Sequence, residues 1–405
     1  MRPRTTILQP HARRVPPARV RSPSQRSFPR RVRSRTSTPP AEAGYGLAVK
    51  DIDAAGGVLG QPIKVGPITD SGASSDLSVS TGSAAQISSS DAQVVLGAES
   101  SSVTLNFVDS IVSKCKVQIS PANTATKLSG YSSYYFRTAP PDTVQGSALG
   151  NLVVGDGVQK VAFLVFNDAY GTGLRDVIES TVEKAGGEVV YGAEGKGQEF
   201  APGQKTFSSE VSAALAAKPD AIVILAFDET KQIVPELKAQ GFDLSKTYYV
   251  DGNTADYSAD FAAGTLEGAQ GTIPGAQPDA TFKQQLTDFY KSSANADLKD
   301  FSYAPESYDA IVLTALAAEK GKGTDGPTIQ ANLAAVSGAT NGEKCSDYAS
   351  CLALIKEGKE ITYAGKAGIG AFNSDNDPSS AYIGIYKFDA NNVPQFQKSI
   401  QGSTN

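Results

Sequence analysis

A chain of 405 residues with 40% apolar and 20% charged side chains is too long for one ordinary core and suits two lobes. Its one histidine is His11, which excludes a Ser-His-Asp triad, a histidine acid–base pair or a multi-histidine metal site from residues 41–405. The charge is split. Residues 1–40 hold 11 Arg and 8 Pro with no Lys, Asp or Glu, whereas residues 41–405 carry 26 basic against 42 acidic side chains, a balance of −16 that repels nucleic acid.

Residues 1–40 read as a tail of different character. Three explanations stay open: a disordered basic arm for nucleic acid or anionic lipid, a targeting segment, or a wrong start or shifted reading frame. The prolines and the missing apolar period exclude a helix-turn-helix, and no apolar core of a secretory signal is visible.

From there, short apolar runs alternate with amphipathic stretches, the pattern of a βα repeat. A first helix spans Ala41 to Ala55 and stops at Gly56-Gly57. Strands are expected at Ile63 to Ile68, Gln93 to Leu96, Val117 to Ile119, Val161 to Phe166, Val189 to Tyr191, Ala221 to Leu225 and Tyr248 to Val250. Helices are expected over 76–88, 103–113, 142–154, 171–185, 206–217 and 229–240. The run Ala221-Ile222-Val223-Ile224-Leu225 reads as a parallel strand buried on both faces. Proline-rich Thr138-Ala139-Pro140-Pro141 joins two such series, and a Gly/Pro-rich passage from Gly268 to Pro278 follows the second. A helix from Tyr303 to Glu319 and a closing strand from Ala381 to Phe388 complete the chain. The fold class is α/β: two doubly wound parallel-sheet lobes with a hinge and a cleft between them.

Cys345 and Cys351 lie six apart in a polar stretch, so they can close a small disulfide loop in an oxidising compartment or remain an incidental reduced pair. Cys115, just before a strand, is expected to be a packed free thiol, and no cysteines have zinc spacing. The glycine pattern Gly321-Lys322-Gly323-Thr324-Asp325-Gly326 follows a helix and reads as a linker, not a phosphate cradle. Tyr170-Gly171-Thr172-Gly173 follows a strand but lacks a third glycine and a ribose-binding acid, which argues against a nucleotide.

The strand ends carry the stronger signal. They read Gly97-Ala98-Glu99-Ser100-Ser101-Ser102, Ser120-Pro121-Ala122-Asn123-Thr124, Asn167-Asp168-Ala169-Tyr170, Ala226-Phe227-Asp228-Glu229 and Asp251-Gly252-Asn253. In parallel sheets all five point at one cleft, where hydroxyls and helix N-termini suit a carboxylate. Ser100, Ser101 and Asp228 could equally serve as helix caps.

The stretch Gly44 to Gly60, containing Leu47-Ala48-Val49-Lys50-Asp51-Ile52-Asp53-Ala54-Ala55-Gly56-Gly57, resembles the opening helix of type I periplasmic substrate-binding proteins. The nearer resemblance is to the branched-chain amino acid binding components of ABC importers. It continues through Gln118 to Ala122, Phe136 to Pro140, Asn167 to Gly171 and Tyr303 to Ala310, and covers nearly all of 41–398. The resemblance implies lobes of 41–139 plus 273–364 and 140–272 plus 375–398, with a hinge crossing at 365–374.

It places the ligand carboxylate on Ser100, Ser101, Asn123 and Thr124, a closing tyrosine at Tyr170 and an aromatic wall at Phe227. Asp251 is the candidate for the ligand ammonium by chemistry, not by motif match, with Glu99 and Asp228 as alternatives. The implied protein is a monomeric, extracytoplasmic, non-enzymatic binder of an amino acid or amide, with no cofactor, metal or nucleic acid, delivering its ligand to an ABC permease. Its competitors are a ligand-sensing regulator of the same fold and an α/β nucleotide-dependent enzyme. The family's first central strand has no counterpart here, so the chain is expected to fold poorly unless residues 1–40 supply one.

Overall fold

A computed structural model describes residues 38–66 and 69–404, all within the second of two units, Met1–Arg33 and Ser34–Asn405. The expectations for residues 1–37 lie outside the described residues. Helix α1 (Thr38–Ala54) begins three residues before the expected start. Pro39 and Pro40 sit in its first turn, where an N–H has no helical partner and the ring costs nothing. It ends where Gly56 and Gly57 turn with φ of 108° and 74°.

The first sheet is built from β1 (Val94–Leu96), β2 (Val117–Ser120) and β3 (Tyr135–Arg137), parallel and in that order. Helices α2 (Ser78–Ser88) and α3 (Ser101–Val112) flank it. The strand expected at Ile63 to Ile68 is not there: residues 63–66 form no ladder, and 67–68 lie outside the described residues. The Ile63 N–H donates instead to Asp53 Oδ1 at 2.8 Å, and Val65 is left exposed. Among the described residues β1 therefore pairs only with β2.

The second sheet begins after α4 (Asp142–Gly155). Its βα series is β4 (Lys160–Val165), α5 (Ala169–Lys184), β5 (Glu188–Tyr191), α6 (Ser208–Ala216), β6 (Ala221–Leu225), α7 (Thr230–Ala239), β7 (Thr247–Tyr249) and β8 (Gln270–Pro274). All five β6 side chains are inaccessible to solvent, and each large one contributes roughly 1.5–3 kcal/mol by burial. Gly146 and Gly150 let α4 approach α5 so closely that a Cβ would meet Val177 and Thr181.

The chain then returns to the core beside β2 and β3 through α8 (Ala280–Ala294), α9 (Ala304–Gly321) and α10 (Gly326–Ala334). The glycine pattern at 321–326 joins α9 to α10, with no strand before it. A two-stranded parallel ribbon of β9 (Glu343–Cys345) and β10 (Ile361–Tyr363) encloses α11 (Tyr348–Lys356). The Cys345–Cys351 disulfide is formed, tying β9 to α11. Cys115, by contrast, is exposed: it occupies a turn at φ 55° between α3 and β2, not the packed position expected.

Finally β11 (Ser380–Phe388) and β12 (Pro394–Ser403) join the second sheet. The order is β12-β11-β8-β7-β6-β4-β5, with β11 antiparallel to both neighbours, so the sheet is mixed and not wholly parallel. The strand at 381–388 is thus followed by one more, whose Gln, Lys and Ser side chains hid it from an apolar search.

Two cores result. One surrounds β4, β6 and β7, and the other packs α1 against α8 and α9 through Leu47, Ala48 and Ile52. Leu59 N–H donates to Glu319 Oε1 at 2.6 Å, and Tyr348 Oη donates to the Gly57 carbonyl at 2.9 Å, fastening the end of α1 to segments some 260 and 291 residues away.

Candidate functional site

In the second sheet β4 has β5 on one side and β6 on the other, so the strand order reverses between β4 and β6. Loops leaving the carboxyl ends of strands at such a point diverge and leave a crevice. Tyr170 follows β4, Phe227 follows β6 and Asp251 follows β7. From the first lobe, the loops after β1 and β2 face them. Together they line a cavity of about 720 Å³, within the size range of small-molecule sites.

Eight of the nine candidate ligand residues stand on its wall: Glu99, Ser100, Ser101, Thr124, Tyr170, Phe227, Asp228 and Asp251. Asn123 does not. It is fully buried behind the wall, donating to the Glu99 carbonyl at 2.7 Å and accepting from Tyr135 Oη at 3.0 Å. Ser101 is likewise committed, its Oγ accepting from the N–H groups of Thr124 and Ala125 at 3.3 and 3.2 Å. These bonds hold the β1 and β2 loops together as one rigid surface.

Ser100 is different. It occupies the cap position of α3 with extended backbone, yet its side chain makes no capping bond, and its buried Oγ has no partner among the described residues. The capping explanation therefore fails for this hydroxyl, which remains available beside a helix N-terminus. Next to it, Ser102 Oγ accepts from the Ala169 N–H at 3.2 Å and so connects the two lobes.

Asp251 is the centre of the polar wall. Its Oδ1 accepts from Tyr170 Oη at 2.5 Å and Gln145 Nε2 at 3.0 Å, while its Oδ2 accepts from Tyr303 Oη at 2.6 Å. All three donors are neutral. Burial and the nearby Asp251 charge push the pKa of both tyrosines well above the ordinary value, so both hydroxyls stay protonated as donors. Asp168 caps α5 by accepting from the Tyr170 N–H at 2.9 Å and sets the ring's position. The Tyr170 and Phe227 rings then stack, 5.6 Å apart at 8°, over the edge of Phe166.

Four residues of this neighbourhood were not singled out from the sequence: Tyr303, Gln145, Asp142 and Glu306. Asp142 is fully buried at the start of α4, with the Thr124 hydroxyl as the polar group nearest its carboxyl. Burial, and then repulsion from Asp251, raise its pKa well above the carboxylate range. Glu306, 1% exposed, presents an unpartnered Oε1 against Gly275 on the cavity wall, and burial raises its pKa in the same way. No run or spacing marks these positions, which acquire meaning only through partners in other elements.

Behind the site, Arg137 is wholly buried. It makes two bonds to Asp377, at 2.6 and 2.9 Å, and others to the carbonyls of Asn123 and Ala125. It thereby fixes the β2 loop to the segment that leads into β11. Among the described residues no group of His, Cys, Asp and Glu has the arrangement to hold a metal, and no helix is long and apolar enough to cross a membrane.

A family model described as "Receptor family ligand binding region" matches residues 42–390. A Leu/Ile/Val-binding protein homologue of Brucella melitensis is 23% identical over 349 residues, 85% of each chain. The branched-chain amino acid transporter substrate-binding protein LivJ of Streptococcus pneumoniae, solved with isoleucine, superposes with a TM-score of 0.68 at 20% identity. That match covers 90% of this chain and 94% of the other. An ABC transporter solute-binding protein of R. palustris, solved with benzoate, gives 0.67 at 16% identity, covering 89% and 91%. The α/β, two-lobed fold is common to them.

Proposed function

The chain belongs to the family of receptor ligand-binding regions, and from that premise we propose that it is an extracytoplasmic solute-binding protein of an ABC importer. It captures an amino acid between its lobes and presents the closed form to a permease. It works as a monomer and performs no chemistry on its ligand. The names of its relatives, a Leu/Ile/Val-binding homologue and a LivJ protein, support the amino-acid class.

The observation that carries this reading is the opposition of the unpartnered Ser100 hydroxyl on one lobe to the Asp251–Tyr170 pair on the other, across one cavity. In this assignment the ligand carboxylate meets Ser100, Thr124 and the N-terminus of α3, where orphan N–H groups and the helix dipole favour an anion. Asp251 takes the ammonium, with Glu99 and Asp228 on the same wall, and the Tyr170–Phe227 stack covers the remainder. Removal of water on closure makes each of these bonds worth more than it is in the open form.

The lobes of this proposal are 41–139 with 273–364, and 140–272 with 375–398, hinged at the three crossings, including 365–374. Ligand binding selects the closed arrangement by its differential contacts with the two lobes. A thermal melt against amino acids, amides and aromatic acids tests the reading. A specific ligand at 100 times its dissociation constant should add about 2.7 kcal/mol and raise the midpoint. A cooperative melt that no α-amino acid shifts would overturn it.

A further inference from the structure

The cavity wall has an unusual charge balance. Seven carboxyl side chains line it, among them Asp251 and Glu306, against one cationic side chain, Lys299; of the seven, the exposed Asp297 is already paired with Lys291 at 2.7 Å. Six aromatic rings share the wall, including Tyr170, Phe227, Tyr303 and Tyr386. A pocket built for a neutral apolar side chain has no use for carboxylates in its buried part, because each of those must be desolvated when the lobes close.

Glu306 sharpens the point. It is nearly inaccessible, it stands on the cavity wall, and its Oε1 finds no hydrogen-bond donor among the described residues. Leaving one oxygen of a buried carboxyl without a partner is costly, and such atoms are normally explained by something that binds them. The partners of the neighbouring Asp251 are two tyrosine hydroxyls and a glutamine amide, so no protein cation neutralises it either. Burial has raised the Glu306 pKa, as expected of a carboxyl group to which the protein supplies no positive charge.

On these grounds, and resting on the amino-acid reading above, we infer that the cleft takes an α-amino acid with a positively charged side chain, whose cationic end is met by Glu306 and the surrounding carboxylates. The α-carboxylate and α-ammonium keep their places at Ser100 and Asp251. The longer cationic arm then runs past the aromatic rings, whose faces attract a cation, toward Glu306.

Calorimetric titration of the full chain with L-lysine, L-arginine, L-leucine and cadaverine tests this. The basic amino acids should bind at least about tenfold more tightly than leucine, the worth of one charge-assisted hydrogen bond. Added salt should weaken lysine binding more than leucine binding. Glu306→Gln should erase most of the lysine preference and leave the leucine affinity in place. If that variant does not fold, the salt dependence of the unaltered chain decides the matter. Leucine binding as tightly as lysine would overturn the inference while leaving the amino-acid reading intact. Cadaverine matching lysine would overturn it too, since the α-carboxylate would then contribute nothing. If no amino acid binds, both fall together.

Discussion

Tyr303, at the head of α9, donates its hydroxyl to Asp251 Oδ2 at 2.6 Å, so a residue 52 positions further on occupies the second oxygen of the carboxylate that follows β7. The same carboxylate holds Tyr170 Oη on its other oxygen. The three groups form a hydrogen-bonded bridge across the cavity wall, which on the proposed hinge closure would favour the closed arrangement. Tyr303→Phe deletes one charge-assisted bond and should cost roughly 1.5–3 kcal/mol of closed-state preference. Small-angle scattering should show a larger unliganded radius of gyration, and affinity for the bound amino acid should fall at least about tenfold. Unchanged scattering and affinity would remove Tyr303 from the bridge.

Ser100 and Tyr170 differ in what they do for the fold. The Ser100 Oγ has no partner, so Ser100→Ala should leave the melting temperature nearly unchanged while lowering affinity. Tyr170→Ala should also weaken binding, but it empties a buried aromatic site and should lower stability by about 3–5 kcal/mol. Titration paired with chemical denaturation separates the two effects. Equal affinities for the parent chain and both variants would sink the site assignment.

Arg137 and Asp377 form a buried, doubly hydrogen-bonded ion pair between β3 and the segment before β11. Asp377→Ala leaves the guanidinium buried and uncompensated, at a cost of about 3–5 kcal/mol. Arg137→Lys should also destabilise, because an ammonium cannot replace the two-pronged geometry or reach both the Asn123 and Ala125 carbonyls. Urea denaturation of each variant would expose a wrong assignment if either matched the parent.

Stability should depend on pH in an uncommon direction. Asp309 is buried on α9, accepting from Tyr363 Oη and the N–H groups of Lys366 and Ala367, and burial still pushes its pKa up to about 6. Glu306 and Asp142 move the same way for the same reason. A carboxyl whose folded pKa exceeds its unfolded value keeps a proton that the unfolded chain has lost. Its stabilising contribution is present in full below about pH 4 and disappears as pH rises through about 6. The unliganded chain should therefore melt at a lower temperature near pH 7.5 than near pH 5.5. Glu306→Gln should reduce the difference, and a midpoint that climbs over this interval would contradict the assignment.

The elements legible in the sequence were those whose signal is local. The runs at 161–165 and 221–225 are buried on both faces and wholly apolar, and the shorter strands at 94–96 and 117–120 keep enough Val, Leu and Ile to be read. β8 and β12 were missed for opposite reasons. β8 lies in a Gly/Pro-rich passage and becomes a strand because β7 and β11 supply ladders on either side. β12 is an exposed edge with a polar sequence, held by β11 alone.

The same division holds at the site. Ser100, Tyr170 and Phe227 could be found because each follows a recognisable strand. Gln145 and Tyr303 matter through Asp251, which lies 106 and 52 residues away, and nothing in their own neighbourhoods announces that. The missing ladder at residues 63–66 shows the reverse case, a β-prone sequence diverted when a side chain, Asp53, claims its N–H.

The fastening of α1 to α9 and α11 sets the timetable by which the protein can be made. The apolar face of α1 has nothing to bury against until α8 and α9 exist, and the Tyr348 bond to Gly57 requires the chain to reach α11. A ribosome must therefore synthesise most of the polypeptide while its opening helix remains unsatisfied. Closing a loop of this length is slow compared with local βα pairing, so the β4–β8 series should form first and the docking of α1 last. Any passage across a membrane as an extended chain would have this interval, before the two distant ends meet, in which to occur.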